Sequence, residues 1–215
     1  MKKRSNVVRE QLRLYAVTDR QWLNGRELSK MVEAAIEGGA TFIQLREKHL
    51  EKEAFLAEAK KIKAITDRYH IPFVIDDDVE IAMEVDADGV HVGQDDMSLA
   101  QARRMLGDDK IIGVSAHNVE EARKAQEGGA DYLGVGACFS TSTKKDTQDV
   151  SKEELKKITG AVEIPVVAIG GISRDKIALL SGCGIAGTAV VSAIFAQDDP
   201  KSAAKQLREE VEKYL

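Results

Sequence analysis

Short, nearly continuous apolar runs alternate along the chain with segments in which hydrophobic residues recur every three or four positions. The apolar runs lie at residues 13–18, 41–45, 72–76, 88–92, 110–115, 131–136, 165–170 and 187–192. Runs of this length without polar alternation predict strands that are buried on both faces. The intervening pattern predicts amphipathic helices, because an apolar stripe recurs at helical spacing. The first stripe consists of Leu28, Met31, Val32, Ala35 and Ile36.

Several polar residues lie where these helices are expected to begin. A residue that accepts a hydrogen bond at the N-cap, often followed by Glu three positions later, marks a helix start. Proline is also favoured at the first helical position. The predicted N-caps are Asp78, Asn118 (with Glu121), Ser151 (with Glu154) and Asp199 (before Pro200).

A short pattern of glycine, a small residue and a new strand recurs at residues 38, 86, 128 and 182. Glycine ends a helix in the left-handed conformation, so the recurrence indicates a repeated strand–helix unit. Eight such units in 215 residues predict an α/β fold, a single compact (β/α)₈ TIM barrel over residues 12–215. Residues 1–11 would form a short N-terminal extension that can be helical and cover the bottom of the barrel. A doubly wound open sheet is the structural alternative.

The net charge, the cysteine content and the apolar stretches of the chain indicate which kinds of partner it can have. The net charge of −5 and the absence of an apolar stretch of membrane-spanning length argue against nucleic-acid and membrane partners. Two cysteines, Cys138 and Cys183, form no disulfide framework and fit a reducing cytoplasm. We therefore expect a cytoplasmic protein that acts on small molecules, and the sequence leaves a homo-oligomer open.

Polar residues concentrate directly after the predicted strands. In a (β/α)₈ barrel the carboxyl ends of the strands carry the chemistry, so these residues are candidates for a site. They comprise Gln44, Arg46 and Lys48 after the second strand, Asp76–Asp78 after the third, Gln94–Asp96 after the fourth, Ser115 and His117 at the fifth, residues 140–146 after the sixth, Gly170 and Gly171 after the seventh, and Ser192 after the eighth.

The residue types suggest two anion sites. Arg46, Lys48, Lys144 and Lys145 supply positive charge, and Asp77 and Asp96 supply the oxygen ligands that Mg²⁺ shares with substrate phosphates. The loops after strands seven and eight are the usual phosphate site of these barrels. We therefore infer that two phosphorylated substrates meet at the same open end of the barrel.

Plainer interpretations stand beside these. Arg46 and Lys48 could form an ordinary solvated strand end, and residues 140–146 a simple polar loop. Asp95 is better interpreted as a surface neighbour than as a ligand. His91 is typical of a satisfied core histidine, and Tyr15 carries no evident site signal.

Seven segments together resemble bacterial thiamine phosphate synthase. They are QLREK (44–48), DDDVEIA (76–82), DGVHVGQDD (88–96), GVSAHN (113–118), STSTKKD (140–146), AIGGI (168–172) and VVSAI (190–194). The resemblance implies a (β/α)₈ transferase that couples hydroxymethylpyrimidine diphosphate with hydroxyethylthiazole phosphate, giving thiamine phosphate and diphosphate by a dissociative substitution.

The resemblance also implies roles for individual residues. Asp77 and Asp96 would hold Mg²⁺, while Arg46, Lys48, Ser115 and Lys144 would carry catalysis. The substrate-binding residues would be Gln44, Leu45, Arg46, Glu47, Lys48, Asp76, Ser115, Thr141, Ser142, Thr143, Lys144, Gly171, Val191 and Ser192.

The chain departs from the family pattern at two places. The family usually has Asn where this chain has Asp76, and an extra carboxylate beside a diphosphate must be protonated, paired with a cation or turned away. The segment ACFSTST (137–143) lacks the prolines common before the family's threonine. Three alternatives are a thiazole tautomerase, a non-catalytic phosphate-ligand-binding barrel of the same superfamily, and an unrelated phosphate-binding barrel isomerase.

Overall fold

The chain folds into a closed barrel of eight parallel strands. A computed structural model describes residues 6–140 and 149–215. The strands pair in chain order, and β8 pairs with β1, so within the described residues the sheet has no free edge. The strands are β1 (Leu14–Val17), β2 (Phe42–Leu45), β3 (Phe73–Asp76), β4 (Gly89–Val92), β5 (Ile111–Ala116), β6 (Tyr132–Val135), β7 (Val166–Ile169) and β8 (Gly187–Val190). This closure confirms the predicted (β/α)₈ barrel and rules out the open sheet.

Helices cover the outside of the barrel. The α-helices are α1 (Leu28–Glu37), α2 (Lys52–Tyr69), α3 (Val79–Glu84), α4 (Leu99–Leu106), α5 (Val119–Glu127), α6 (Lys152–Ala161), α7 (Ser192–Phe195) and α8 (Pro200–Tyr214). Short 3₁₀ helices occupy Arg9–Leu12, Arg20–Trp22 and Arg174–Leu180. Of the helices that the structure describes, none combines the length and apolar character needed to span a bilayer.

The apolar residues form two layers, one on each side of the strands. The larger layer packs the outer faces of the strands against the helices, and it contains the whole predicted stripe of α1. The smaller layer fills the barrel, with Tyr15, Phe42 and Tyr132 as its large aromatic members. Burial on both faces explains why the strands read as continuous apolar runs.

The N-terminal segment lies against the end of the barrel where the strands begin. Val7 and Leu12 are buried in the inner layer. The Arg9 guanidinium donates to the carbonyl oxygens of Gly184 (3.1 Å) and Ile185 (2.7 Å), just before β8. Because this segment covers one end, the carboxyl ends of the strands are left to form the site.

Candidate active site

A cavity of about 350 Å³ opens at the carboxyl ends of the strands. All eight strands or the loops directly after them contribute to its wall, as expected for a site in this fold. The candidates from the sequence that line it are Gln44, Arg46, Lys48, Asp76, Asp77, Gln94, Asp95, Asp96, Ser115, His117, Gly170, Gly171, Val191 and Ser192.

Two predicted substrate-binding side chains, those of Leu45 and Glu47, lie outside this cavity. Successive side chains on an extended segment point to opposite faces, so the neighbours of Gln44 and Arg46 point outward. Leu45 is buried between the barrel and the helices. Glu47 accepts hydrogen bonds of 3.1 and 3.2 Å from Nε of Arg20. A substrate-binding role for Leu45 and Glu47 therefore stays a prediction, and it would have to rest on their backbone and not on their side chains. Thr141, Ser142, Thr143 and Lys144 lie outside the described residues.

Charges of alternating sign line one wall of the cavity. Arg46 Nη1 lies 3.3 Å from Asp19 Oδ2, and Arg46 Nε lies 3.6 Å from Asp76 Oδ2. Lys48 Nζ lies 3.5 Å from Asp76 Oδ2 and forms a second ion pair with Asp77. Both cations on this wall are therefore already in contact with carboxylates.

Asp76 is the carboxylate shared by both cations. Its side chain is only 11% exposed. Burial raises the pKa of Asp76, and the attraction of Lys48 and Arg46 only partly offsets this effect. Of the three arrangements that could accommodate an extra carboxylate, the geometry corresponds to pairing with cations.

The turn after β3 projects Asp77 into the cavity. Asp77 has a left-handed backbone conformation with φ of 61°, which is uncommon for a residue other than glycine. Its N–H donates to the carbonyl oxygen of His91 (2.8 Å), and Asp78 caps α3 by accepting from the N–H of Ile81 (2.9 Å). These hydrogen bonds stabilise an unfavourable backbone angle that turns Asp77 out of the strand direction.

Asp77 and Asp96 meet across the ends of β3 and β4. The pKa of Asp77 is raised to about 6, first by burial and then by repulsion from Asp76 and a hydrogen bond with Asp96, against the opposing effect of Lys48. Asp96 Oδ2 also accepts from the N–H of Gly93 (2.8 Å). Two carboxylates this close destabilise each other when both are charged, and a bound cation would relieve the repulsion.

This pair fits Mg²⁺. The ion is commonly held by one or two carboxylates, with substrate phosphates and water completing its oxygen ligands. In residues 6–140 and 149–215, no cluster of three or more His, Cys, Asp or Glu side chains is arranged for metal binding. The donor set is thus of the size expected for an ion shared with a phosphorylated substrate.

The opposite wall, after β7 and β8, contains two consecutive glycines beside apolar residues such as Ile169 and Ile172, and we call it the backbone wall. Gly170 and Gly171 have φ of 95° and 60°. A Cβ on Gly171 would lie 2.4 Å from the carbonyl oxygen of Ser140, so this crossing leaves no room for a side chain. Beside them, Val191 and Ser192 line the cavity at the start of α7. Glycine turns and helix starts commonly bind anions through backbone N–H groups, and this wall has both features.

A chain of hydrogen bonds crosses the floor of the cavity. Gln44 Nε2 donates to the Tyr15 hydroxyl (2.8 Å), which lies 2.8 Å from the Tyr132 hydroxyl. The Tyr132 hydroxyl lies 3.0 Å from His91 Nδ1, and His91 Nε2 lies 3.0 Å from Ser115 Oγ. We call this set of five side chains the floor network.

The sequence matches the family model described as thiamine monophosphate synthase over residues 14–194. This match covers most of the chain and every strand of the barrel. The chain belongs to the thiamine monophosphate synthase family.

Individual relatives agree with the family match. The thiamine-phosphate synthase of Clostridium tetani is 51% identical over 194 residues, which is 90% of this chain and 93% of that protein. That of Ruminiclostridium cellulolyticum is 53% identical over 91% of this chain and 93% of that protein. The solved thiamine phosphate pyrophosphorylase from Pyrococcus furiosus is 40% identical, with a TM-score of 0.90, and covers 96% of this chain and 98% of that one. These relatives are thiamine-phosphate synthases, which are transferases of thiamine biosynthesis.

Sequence reasoning missed three side chains at the synthase cavity. Tyr15 and His91 line it, although neither was assigned a site role, and Asp19 pairs with Arg46 there. His91 is satisfied at both ring nitrogens, as expected of a core histidine, but it also faces the cavity. Tyr15 and His91 could have been identified as site residues only by knowing that their side chains point into the barrel from β1 and β4. This orientation depends on barrel closure and register, which a single apolar run does not reveal.

Proposed function

We propose that this member of the thiamine monophosphate synthase family couples hydroxymethylpyrimidine diphosphate with hydroxyethylthiazole phosphate, with Mg²⁺ as cofactor. The products would be thiamine phosphate and diphosphate. One observation carries the proposal: a cationic wall with two apposed carboxylates faces a glycine-lined backbone wall across a single cavity. These walls provide separate places for a diphosphate and for a second phosphate.

The diphosphate is assigned to the wall formed by Arg46 and Lys48. In the free protein these cations pair with Asp76 and Asp77, so they are already oriented towards the place where an anion would bind. Lys144, outside the described residues, is proposed to join them. Mg²⁺ held by Asp77 and Asp96 would neutralise charge on the diphosphate.

The residues support a dissociative substitution. When diphosphate departs, negative charge develops on its oxygens, and Arg46 and Lys48 are placed to stabilise that charge. Gln44 and Ser115 are assigned to hold the pyrimidine ring at the cavity floor. The substitution requires a positioned nucleophile and no strong base, so the main task of the remaining residues is orientation.

The thiazole phosphate is assigned to the backbone wall. Gly171, Val191 and Ser192 are proposed to bind it through N–H groups, with Thr141, Ser142 and Thr143 nearby. Tethering this substrate by its phosphate would bring the thiazole nitrogen to the pyrimidine ring. Such positioning converts a bimolecular encounter into a reaction within one complex.

A coupling assay with purified protein tests this proposal. Thiamine phosphate should form only when both precursors and Mg²⁺ are present. Lys48→Ala should lower kcat/KM by about 10²-fold or more, because it removes charge stabilisation at the departing group. Lys52→Ala is the matched control, since Lys52 pairs with Glu80 on the exposed surface. Absence of product from the two precursors, or equal rates for both variants, would overturn the proposal.

A cytoplasmic location is part of the proposal. Cys138 and Cys183 are both free thiols, which is typical of proteins kept in a reducing compartment. Fractionation of cells that express the chain at native levels checks this, with recovery in the cytoplasmic fraction as the expected result.

A further inference from the structure

The floor network joins five strands through side chains alone. Tyr15, Gln44, His91, Ser115 and Tyr132 come from β1, β2, β4, β5 and β6 respectively. Gln44 and Ser115, the two ends of the network, are the residues assigned above to the pyrimidine ring. Tyr132 lies in the middle and is buried, so its hydroxyl connects the two halves.

Once Gln44 donates at one end, a single order of hydrogen bonds gives each buried tyrosine hydrogen of the network an acceptor. If Tyr132 donated to Tyr15, the single hydrogen of the buried Tyr15 hydroxyl would have no acceptor among the described residues. We therefore take Tyr15 to accept from Gln44 and to donate to Tyr132. Tyr132 must then donate to Nδ1 of His91. Burial raises the pKa of both tyrosines well above the ordinary value, so each hydroxyl keeps its hydrogen.

The same order determines what His91 and Ser115 can do. A His91 ring that accepts at Nδ1 carries its hydrogen on Nε2 and donates it to Ser115 Oγ (3.0 Å). The hydrogen of the Ser115 hydroxyl is then directed to another acceptor. Since Ser115 lines the cavity, a substrate ring nitrogen is an acceptor of suitable chemistry.

Two glycines make room for this arrangement. A Cβ on Gly113 would lie 2.1 Å from Cζ of Tyr132, and a Cβ on Gly134 would lie 3.0 Å from Cε1 of His91. The Tyr132 ring also packs against Phe42, with ring centroids 5.6 Å apart. The ring is therefore confined from several sides, which fixes the position of its hydroxyl.

We propose that Tyr132 is a positioning residue for the coupling reaction. Through His91 it orients the Ser115 hydroxyl as a hydrogen-bond donor to the nitrogen-containing ring of the diphosphate substrate. This inference rests on the proposed function, because it takes Ser115 to contact that ring. Tyr132 itself acts through the network and not by contact with the reacting atoms.

The ¹⁵N spectrum of His91 in the substrate-free protein tests the order of the network. The wild type should show a single tautomer protonated at Nε2, identified among the four histidines by its loss in His91→Asn. Tyr132→Phe should remove this preference, because Nδ1 loses its donor. Tyr69→Phe is the matched control, since the Tyr69 hydroxyl bonds to Glu33 on the outside of the barrel. A wild-type ring protonated at Nδ1, or an unchanged tautomer in Tyr132→Phe, would overturn the inference.

A double-mutant cycle tests whether Tyr132 acts through Ser115. Tyr132→Phe should lower kcat/KM for the diphosphate substrate by about tenfold, the usual scale for one hydrogen bond to a substrate. In a Ser115→Ala background the same change should have almost no further effect. Full activity of Tyr132→Phe, or an effect that is undiminished without the Ser115 hydroxyl, would overturn the inference and leave the proposed function standing. A wild-type chain without coupling activity would instead refute the proposed function, and the His91 spectrum would still decide the order of the network.

Discussion

Asp76 shows how a single carboxylate can tune a cationic site. It lies within ion-pair distance of Arg46 (3.6 Å) and Lys48 (3.5 Å), the two cations proposed to bind diphosphate. Under that proposal the diphosphate must compete with the Asp76 carboxylate for both cations. Asp76 therefore pairs with both cations in the free protein, and under the proposed function it would weaken their attraction for the diphosphate.

Replacing Asp76 with Asn should keep or improve activity. The amide retains the shape of the side chain and removes a negative charge beside the proposed diphosphate site. We expect an unchanged or higher kcat/KM and a KM for the pyrimidine diphosphate that is lower by a few-fold, measured by steady-state kinetics at saturating thiazole phosphate. A collapse in kcat would mean that the carboxylate takes part in the reaction.

Gly113 should be intolerant of even the smallest side chain. Its Cβ would lie 2.1 Å from the Tyr132 ring, so Gly113→Ala should lower the free energy of unfolding by about 1–3 kcal/mol, as overpacking does. Gly160→Ala in α6 is the matched control, because nothing lies within 4 Å of its Cβ. The control should be neutral or slightly stabilising, since alanine favours helix. Equal denaturant midpoints for the two variants would contradict this packing.

The residues that could be predicted from the sequence are those whose position follows from strand order alone. Arg46, Lys48, Asp77 and Asp96 come directly after strands, so the barrel hypothesis already placed them at one end. The partners within the barrel could not be predicted in this way. The contact between Tyr15 and Tyr132 joins residues 117 positions apart and depends on how β1 and β6 face each other across the interior.

At the scale of single elements, helix caps were well predicted. Asp78, Asn118, Ser151 and Asp199 each accept a hydrogen bond from the first turn of the following helix. The segment after β7 lacks such a cap. A 3₁₀ helix (Arg174–Leu180) forms there, and the Ser173 hydroxyl donates to Asp175 and does not cap the helix. Helix caps can be predicted from the sequence because the donor and the acceptor are only a few residues apart.

The cap of α3 should matter for metal binding as well as for stability. Asp78→Ala and Asp199→Ala each remove one N-cap, so each should cost about 1 kcal/mol of stability. Only Asp78 adjoins the turn that projects Asp77, so only Asp78→Ala should raise the Mg²⁺ concentration needed for half-maximal activity. Thermal unfolding and Mg²⁺ titrations of both variants check this. Equal Mg²⁺ requirements for the two variants would show that the cap of α3 does not influence the metal site.

At the scale of the whole molecule, the count of eight strand–helix units decided correctly between a barrel and an open sheet. Repetition of the unit could not decide it, because both folds use the same unit. The pairing of β8 with β1 is the feature that distinguishes the barrel. Closure also brings the ends of β2, β3 and β4 to one wall and the ends of β7 and β8 to the other, so the two proposed anion sites face each other.

The measurement that tests this account most directly is the Mg²⁺ dependence of thiamine phosphate formation in Asp77→Asn, Asp96→Asn and Asp95→Asn. Asp95 lies in the same loop as Asp96 and is not assigned to the ion, so it serves as the matched control. We predict no product without Mg²⁺, a large rise in the Mg²⁺ requirement for the Asp77 and Asp96 variants, and a nearly wild-type response for the Asp95 variant. Undiminished product with a chelator present, or the same Mg²⁺ response in all three variants, would contradict the account.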